Sequence, residues 1–146
     1  MEVQDLKLDE FTIGQVFETK EHTLTKEDIM RFASEFDPQY MHVDEEKASE
    51  GRFNGIIASS MHTLAISFKL WVEEERYGDD VIAGTGMDNL TFIKPVYPGD
   101  TLYTKVTVLK KRKLKNNTGI LTVKLVTYNR KEEKVFKGEL SALMKC

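Results

Sequence analysis

Cysteine is almost absent from this chain of 146 residues: the one cysteine, Cys146, is the last residue. A single cysteine excludes a disulfide framework and argues against a cysteine metal cluster. Such a composition is typical of a reducing compartment, so we expect a cytoplasmic protein. Residues 1–10 are polar and acidic and do not resemble a secretory signal.

Long apolar runs and a strong charge of one sign are missing as well. No apolar run is long enough to cross a bilayer. The formal net charge is -3 and the isoelectric point about 5.7, which gives no global attraction to nucleic acid or to an anionic membrane. We expect neither as a partner. The glycines form neither a phosphate-binding loop nor a dinucleotide fingerprint, and the Gly-x-Ser-x-Gly elbow of serine hydrolases is absent.

What remains is an ordinary globular composition, with 40% hydrophobic and 31% charged residues, and we expect one domain over residues 1–146. Capping signals and helical spacing predict a helix after Thr25, a short helix after Asp44 and a long helix over residues 58–75. Alternation and turn signals predict a short strand within residues 11–20. They predict four more over 87–93, 102–109, 121–125 and 136–144. The consecutive strands predict an antiparallel meander, and the long helix against it an α+β fold.

The long predicted helix carries little charge, so we expect protein to surround most of it. Its wide apolar face is formed by Met61, Leu64, Ala65, Phe68, Trp71 and Val72. Its other face combines small polar residues with two aliphatic ones, namely Ser60, Thr63, Ser67, Ile66 and Leu70.

An aspartate and a histidine lie five residues apart in the segment 37–42, which reads Asp-Pro-Gln-Tyr-Met-His. Pro38 disfavours the α conformation at Asp37 and should end the preceding helix. A carboxylate and an imidazole close together can hold and deprotonate a water and later return the proton. Asp37 and His42 are therefore the candidate catalytic pair, although an aspartate before a proline also fits a simple turn.

Three segments resemble the MaoC-like hydratase/dehydratase family. The first is residues 32–48, which contain the Asp–His motif followed by Val-Asp-Glu-Glu. The second is residues 55–60, Gly-Ile-Ile-Ala-Ser-Ser, at the start of the long helix. The third is residues 92–102, Phe-Ile-Lys-Pro-Val-Tyr-Pro-Gly-Asp-Thr-Leu. Their order and spacing match the family, so the resemblance implies a single hot-dog domain in which an antiparallel sheet wraps around a long central helix.

Characterised members with this pattern hydrate trans-2-enoyl thioesters of coenzyme A to (R)-3-hydroxyacyl thioesters, or run the reverse dehydration. The resemblance implies that Asp37 and His42 activate the water and shuttle its proton. It also implies that a backbone N–H of Ser60 or Ser59 polarises the thioester carbonyl, since N–H groups at a helix N-terminus are unpaired. It implies no metal or redox cofactor, and coenzyme A enters as part of the substrate.

The chain departs from the family motif, which usually reads Asp-x-Asn-Pro-x-His. Here Pro38 follows the aspartate directly and Gln39 replaces the asparagine, while Phe36 and Ser60 stand where glycines are common. Two alternatives therefore stay open. One is a hot-dog acyl-CoA thioesterase, which needs an acidic residue but not this histidine, and the other is a non-catalytic acyl-thioester binding domain.

A basic run over residues 110–115 is the candidate contact for carrier phosphates, with Lys111 and Arg112 as its central residues. The alternative is a solvated strand end. No aromatic residues interleave within the run, so it does not resemble a surface for single-stranded nucleic acid. His42, Asp44 and His62 have the chemistry of metal ligands, but nothing in their spacing defines a site and we expect no metal.

The expected partners follow from the resemblance. The small-molecule partner is an acyl thioester of coenzyme A or of an acyl carrier protein. A second copy of the chain is also expected, giving at least a homodimer, because a lone meander leaves strand edges unpaired.

Overall fold

The computed structural model describes residues 6–146 of the chain. A 3-10 helix over Leu8–Glu10 precedes strands β1 (Val16–Glu18) and β2 (His22–Thr23). Four helices follow, α1 (Lys26–Phe36), α2 (Tyr40–Val43), α3 (Glu45–Ser49) and α4 (Ser60–Glu73). The chain then forms strands β3 (Val81–Phe92), β4 (Thr101–Leu114), β5 (Thr118–Tyr128) and β6 (Lys134–Lys145).

The N-terminal segment considered above as a secretory signal lies partly outside these residues, since residues 1–5 are not among them. Within residues 6–146, none of the helices has the length and apolarity needed to span a membrane. A cytoplasmic location stays a prediction, as does the single domain over the full 146 residues.

Side-chain caps confirm the helix starts predicted after Thr25 and Asp44, whereas the long helix begins at Ser60 instead of residue 58. Thr25 accepts a hydrogen bond from the Asp28 N–H at 3.1 Å, and Asp44 accepts one from the Lys47 N–H at 3.0 Å. Each bond pairs an N–H that has no partner inside its own helix. Helix α1 ends at Phe36, and Asp37 has left the helical conformation at φ −155° and ψ 68°, as expected where a proline follows.

The six strands form one sheet in the order β1-β4-β5-β6-β3, with β2 pairing to the start of β4. The predicted antiparallel meander is present in β4, β5 and β6. Its first turn contains Asn116 and Asn117, both at positive φ, which is typical of a tight hairpin. Strand β3 departs from the meander because it pairs with β6 rather than with β4.

All four of the long strands are longer than their sequence patterns predict, and the extensions of β3 and β4 matter most here. Strand β3 begins at residue 81 instead of 87, and the two glycines in this added part, Gly84 and Gly86, weaken a strand pattern. Strand β4 continues to residue 114 instead of 109, so all of the basic run except Lys115 is part of the strand. Consecutive side chains in a strand point to opposite faces, and the four cations of 110–113 can therefore alternate between the two sides of the sheet.

The orientation of α4 differs from what its apolar pattern suggests. The helix buries four residues of its mixed face, Thr63, Ile66, Ser67 and Leu70, together with Trp71 of the predicted apolar face. Met61, Phe68 and Val72 of the predicted apolar face are exposed, Phe68 by 44%. The expectation that protein surrounds most of α4 is therefore not met within the chain itself.

Hydroxyl pairs explain why the mixed face can be buried. Ser67 Oγ donates to the Thr63 carbonyl at 2.8 Å and lies 2.6 Å from Thr127 Oγ1, which lies 2.7 Å from Thr104 Oγ1. These hydroxyls satisfy one another between the helix and the sheet, so burying them leaves no unpaired polar group. Their small size also lets α4 lie close to β4 and β5.

Candidate active site

The candidate catalytic residues come from three short elements that meet at the start of α4. Asp37 follows the last residue of α1, His42 lies in α2, and Ser59 is the N-cap of α4. Two backbone bonds hold the elements together. The Ile57 N–H donates to the Met41 carbonyl at 3.0 Å, and the next N–H along the chain donates to the Val96 carbonyl at 2.8 Å.

His42 and Asp37 face each other, as the motif predicts. Nε2 of His42 lies 3.3 Å from Oδ2 of Asp37, and the histidine is only 6% exposed. On the other side of the ring, Nδ1 lies 2.7 Å from the carbonyl oxygen of Ile57. A carbonyl oxygen can only accept, so Nδ1 carries the proton and Nε2 of the neutral ring is an acceptor. Two hydrogen-bond acceptors, His42 Nε2 and Asp37 Oδ2, therefore face each other.

Asp37 has two further donors. Ser59 Oγ donates to Oδ2 at 2.6 Å, and Gln39 Nε2 donates to Oδ1 at 2.6 Å. These hydrogen bonds, that of Ser59 first, lower the pKa of Asp37 below its ordinary value, and His42 acts in the same direction when it is protonated. The carboxylate is thus kept ionised. An ionised carboxylate beside a neutral imidazole can accept both protons of one water.

The two serines that are candidate N–H donors occupy different positions at the start of α4. The Ser59 side chain is fully buried, and its oxygen accepts a hydrogen bond from the Met61 N–H at 3.2 Å. Ser60 is the first residue of the helix, so its N–H has no intrahelical partner. Ser60 also lines a cavity of about 320 Å³ together with His42.

This cavity has the character of a site for an apolar chain. The aromatic and aliphatic residues in its wall are Phe53, Ile57, Ala58, Phe92, Ile93, Pro95, Val96 and Val135. A second, larger groove of about 930 Å³ lies elsewhere, between the C-terminal half of α4 and strands β3 and β6. We place the candidate chemistry in the smaller cavity, because His42 lines it and no residue of the catalytic pair lines the groove.

The basic residues proposed for the carrier do not form one cluster. The Lys111 ammonium donates to the carbonyl oxygen of Asp9, beside the N-terminal 3-10 helix. Arg112 lies in a depression on the sheet with Lys110 and Asp88. Strand alternation separates the two side chains, and β4 carries both at the end opposite to Thr101. Their role in carrier binding stays a prediction.

The alternative metal ligands His42, Asp44 and His62 do not converge. His62 stacks on the ring of Phe32, with the centroids 4.4 Å apart, and Asp44 caps α3. Across residues 6–146, no group of three or more histidine, cysteine, aspartate or glutamate side chains has the arrangement of a metal site.

Three contributors to the site were not identified from the sequence: the Ser59 hydroxyl, the Gln39 amide and the Ile57 carbonyl. A serine before the first helical residue is a common N-cap, which gives a signal for its position but none for its bond to Asp37. Helix α2, which carries His42, was also not predicted. It has four residues and depends on tertiary bonds to residue 57.

One long helix packed on an antiparallel sheet, with an Asp–His pair at the helix N-terminus, places this protein in the hot-dog class of α+β folds. A family model described as "MaoC like domain" matches residues 9–129. The chain belongs to this MaoC-like hydratase/dehydratase family, and the predicted fold and family are confirmed.

Individual relatives support the same assignment. The crystal structure of a MaoC-like dehydratase from Rhodospirillum rubrum has a TM-score of 0.87 and 33% identity, covering 96% of this chain and 97% of that one. The unliganded (R)-hydratase PhaJ1 from Pseudomonas aeruginosa has a TM-score of 0.73 and 26% identity, covering 98% and 87%. The uncharacterized Bacillus subtilis protein YdeM is 71% identical over 140 residues, which are 96% of this chain and 99% of that protein.

Proposed function

We propose that this protein is a hydro-lyase that interconverts trans-2-enoyl and (R)-3-hydroxyacyl thioesters. The observation that carries the proposal is the pair of acceptors, His42 Nε2 and Asp37 Oδ2, 3.3 Å apart beside an apolar cavity. A water donating to both would have its oxygen directed away from them, towards a substrate in the cavity. The matching family and the (R)-hydratase among the similar structures are consistent with this reaction class.

The proposed step balances without a cofactor. His42 Nε2 takes one proton of the water while Asp37 accepts a hydrogen bond from the other O–H. The oxygen forms a bond to C3 of the enoyl group, and the C2–C3 double bond shifts electrons to the thioester oxygen. The Ser60 N–H stabilises this enolate. Collapse of the enolate takes a proton onto C2, and the imidazolium is the nearest proton source. Dehydration is the reverse.

The imidazolium formed in this step also fits the geometry. Once Nε2 is protonated it can donate to Asp37 Oδ2, which is already an ionised acceptor. The carboxylate therefore stabilises the charge that develops on His42, while the Ile57 carbonyl keeps the ring oriented. Only interactions that strengthen in the transition state accelerate the reaction, and this ion pair is one of them.

We propose coenzyme A or an acyl carrier protein as the carrier of the acyl group, and a cytoplasmic location. We also propose at least a homodimer. Strand β3 pairs only with β6 within the described residues and is exposed along its length. The groove beside it includes exposed apolar side chains of both elements, among them Phe68, Val72, Val81 and Met87. An edge strand next to an apolar surface is suited to pairing with a second copy.

Incubation with a short trans-2-enoyl-CoA tests the reaction. Hydration removes the conjugated absorbance without releasing thiol, and the product should be the (R)-3-hydroxyacyl thioester on a chiral column. Release of free thiol would identify a thioesterase instead. Binding of the thioester, measured by calorimetry, with neither chemical change would favour a non-catalytic binding domain.

A further inference from the structure

We propose that the hydroxyl of Ser59 is a positioning group for Asp37, which holds the carboxylate oxygen Oδ2 on the side facing His42. The role of Asp37 as the acceptor for water rests on the proposed function. The hydroxyl–carboxylate contact itself does not, and it can be tested without a substrate.

The direction of the Ser59 bond is set by its neighbours. The oxygen of Ser59 already accepts from the Met61 N–H at 3.2 Å, and its single proton points to Asp37 Oδ2 at 2.6 Å. A carboxylate can only accept, so Ser59 must be the donor. The same side chain therefore caps α4 and anchors Asp37, although the two residues are 22 positions apart in the chain.

Because Ser59 is buried, its hydrogen bond to Asp37 is stronger than the hydrogen bond that Gln39 donates to Asp37. Ser59 is 0% exposed, so water cannot replace its hydroxyl. Gln39 is exposed, and its amide competes with solvent for Oδ1. A hydrogen bond to a charged group is worth more where the surroundings are dry. We therefore assign the dominant positioning role to Ser59 and a smaller one to Gln39.

The Ser59 hydroxyl affects the catalytic pair because it binds the same oxygen of Asp37 that faces His42. Oδ2 faces both Ser59 and His42, whereas Oδ1 faces Gln39. With the Ser59 donor in place, rotation of the carboxylate away from His42 breaks a part-buried charge-assisted bond. Without it, Oδ2 keeps only its contact with the imidazole, and the carboxylate can turn. His42 is the titratable group that acts on Asp37 when it is protonated, while Ser59 and Gln39 are neutral donors.

Two substitutions separate positioning from capping. Ser59→Ala and Ser59→Gly both remove the hydroxyl, but glycine is a tolerable N-cap and costs helix stability only a few tenths of a kcal/mol. The carboxyl carbon of Asp37 is followed by carbon-detected NMR against pH, with its signal assigned from the Asp37→Asn spectrum. Thr25→Ala, which removes the cap of α1, is the matched control for capping, and Ser34→Ala is the control for loss of an exposed hydroxyl.

We expect the pKa of Asp37 to rise in both Ser59 variants and to stay unchanged in both controls. With an enoyl-CoA substrate, kcat should fall roughly ten- to hundredfold with KM nearly constant, since a charge-assisted bond is lost and Ser59 does not line the cavity. The Ala and Gly variants should lose kcat equally despite different melting temperatures.

Losses of kcat that follow the melting temperatures, with an unmoved Asp37 titration, would overturn the proposal and leave Ser59 as a cap alone. If the wild-type protein hydrates no enoyl thioester, the proposed function fails. The NMR titration still decides whether Ser59 holds the carboxylate, so the two failures are distinguishable.

Discussion

Helix α4 buries hydroxyl-bearing side chains together with Ile66, Leu70 and Trp71, and it exposes the apolar side chains of Met61, Phe68 and Val72. On the inner face, Thr63 and Ser67 are buried among Ile66 and Leu70. On the outer face, Phe68 is exposed although it is adjacent in sequence to Ser67. Apolarity therefore indicates which surface needs a cover, whereas shape and hydrogen bonding decide which surface fits the sheet of the same chain.

The inner face of α4 is covered by the sheet of the same chain. The candidate site lies next to this face, at the N-terminus of the helix. The hydroxyls and the carboxylate named above are paired: the Ser67 hydroxyl with Thr127, and the Asp37 carboxylate with Ser59 and Gln39. The outer face lacks such a cover within the described residues. It joins the exposed strand β3 in one apolar surface, which we interpret as the place of the second copy.

The largest effect is expected at the site. Asp37→Asn and His42→Ala should each lower the hydration rate by roughly two to four orders of magnitude, the usual range for general acid–base groups. Asparagine keeps the size of aspartate but loses its basicity. The double variant should lose little more, because the two groups act as a unit. Rates on a short enoyl-CoA, with thermal melts of each variant, check this.

The same two variants should also be tested for their oligomeric state. Both should assemble like the wild type, since neither residue lies on the outer face of α4. An Asp37→Asn protein with near-normal turnover would contradict the mechanism, because asparagine serves a turn as well as aspartate does.

A charge on the outer face should separate the copies. Phe68→Glu places an unpaired carboxylate in the apolar surface, and burying it in an interface is unfavourable. We expect a dimer at micromolar concentration to become a monomer, as measured by sedimentation or light scattering. Ile13→Glu is the matched control, because Ile13 is 60% exposed and precedes β1 at the opposite edge of the sheet.

Two results would contradict the proposal that a second copy covers the outer face of α4. A wild-type monomer at micromolar concentration would mean that the outer face has no second copy. Equal dissociation by Ile13→Glu would place the interface elsewhere.

Replacing the buried Ser67 by an apolar residue should destabilise the fold. Ser67→Leu removes a buried hydroxyl from Thr127 and inserts volume between α4 and the sheet, which typically costs about 1–3 kcal/mol. Ser34→Leu is the matched control, because Ser34 also donates to the carbonyl four residues earlier but is exposed. Its effect should stay within about 0.5 kcal/mol.

Urea unfolding at a fixed protein concentration measures both free energies. A Ser67→Leu protein more stable than the wild type would show that apolarity alone decides which face of α4 is buried.

The smallest effect is expected in the basic run. Charge reversal at Lys111 and Arg112 should raise KM for a coenzyme A thioester and make it less sensitive to salt, with kcat nearly unchanged. Because the two side chains lie apart, Lys111→Glu and Arg112→Glu should be measured separately as well as together. If neither KM nor its salt dependence moves, the run is a solvated strand end.

Much of the fold could be predicted because its signals are local. Thr25 and Asp44 cap helices through bonds that span three residues, and Asn116 and Asn117 form a hairpin turn through their own backbone angles. The hot-dog assignment required the order of three motifs along the chain. The Asp37–His42 contact also followed from sequence, since five residues around a proline turn keep the two side chains close.

Tertiary structure alone decided the rest, because these features depend on contacts between distant residues. Strand β3 lies beside β6, which is far along the chain. The bond from Ser59 to Asp37 requires α4 to begin beside the end of α1. The buried face of α4 depends on hydroxyls of Thr127 and Thr104 that the helix pattern does not contain. A periodic pattern of apolar residues indicates that a helix face needs to be buried. Shape and hydrogen bonding across the fold decide which surface that face packs against.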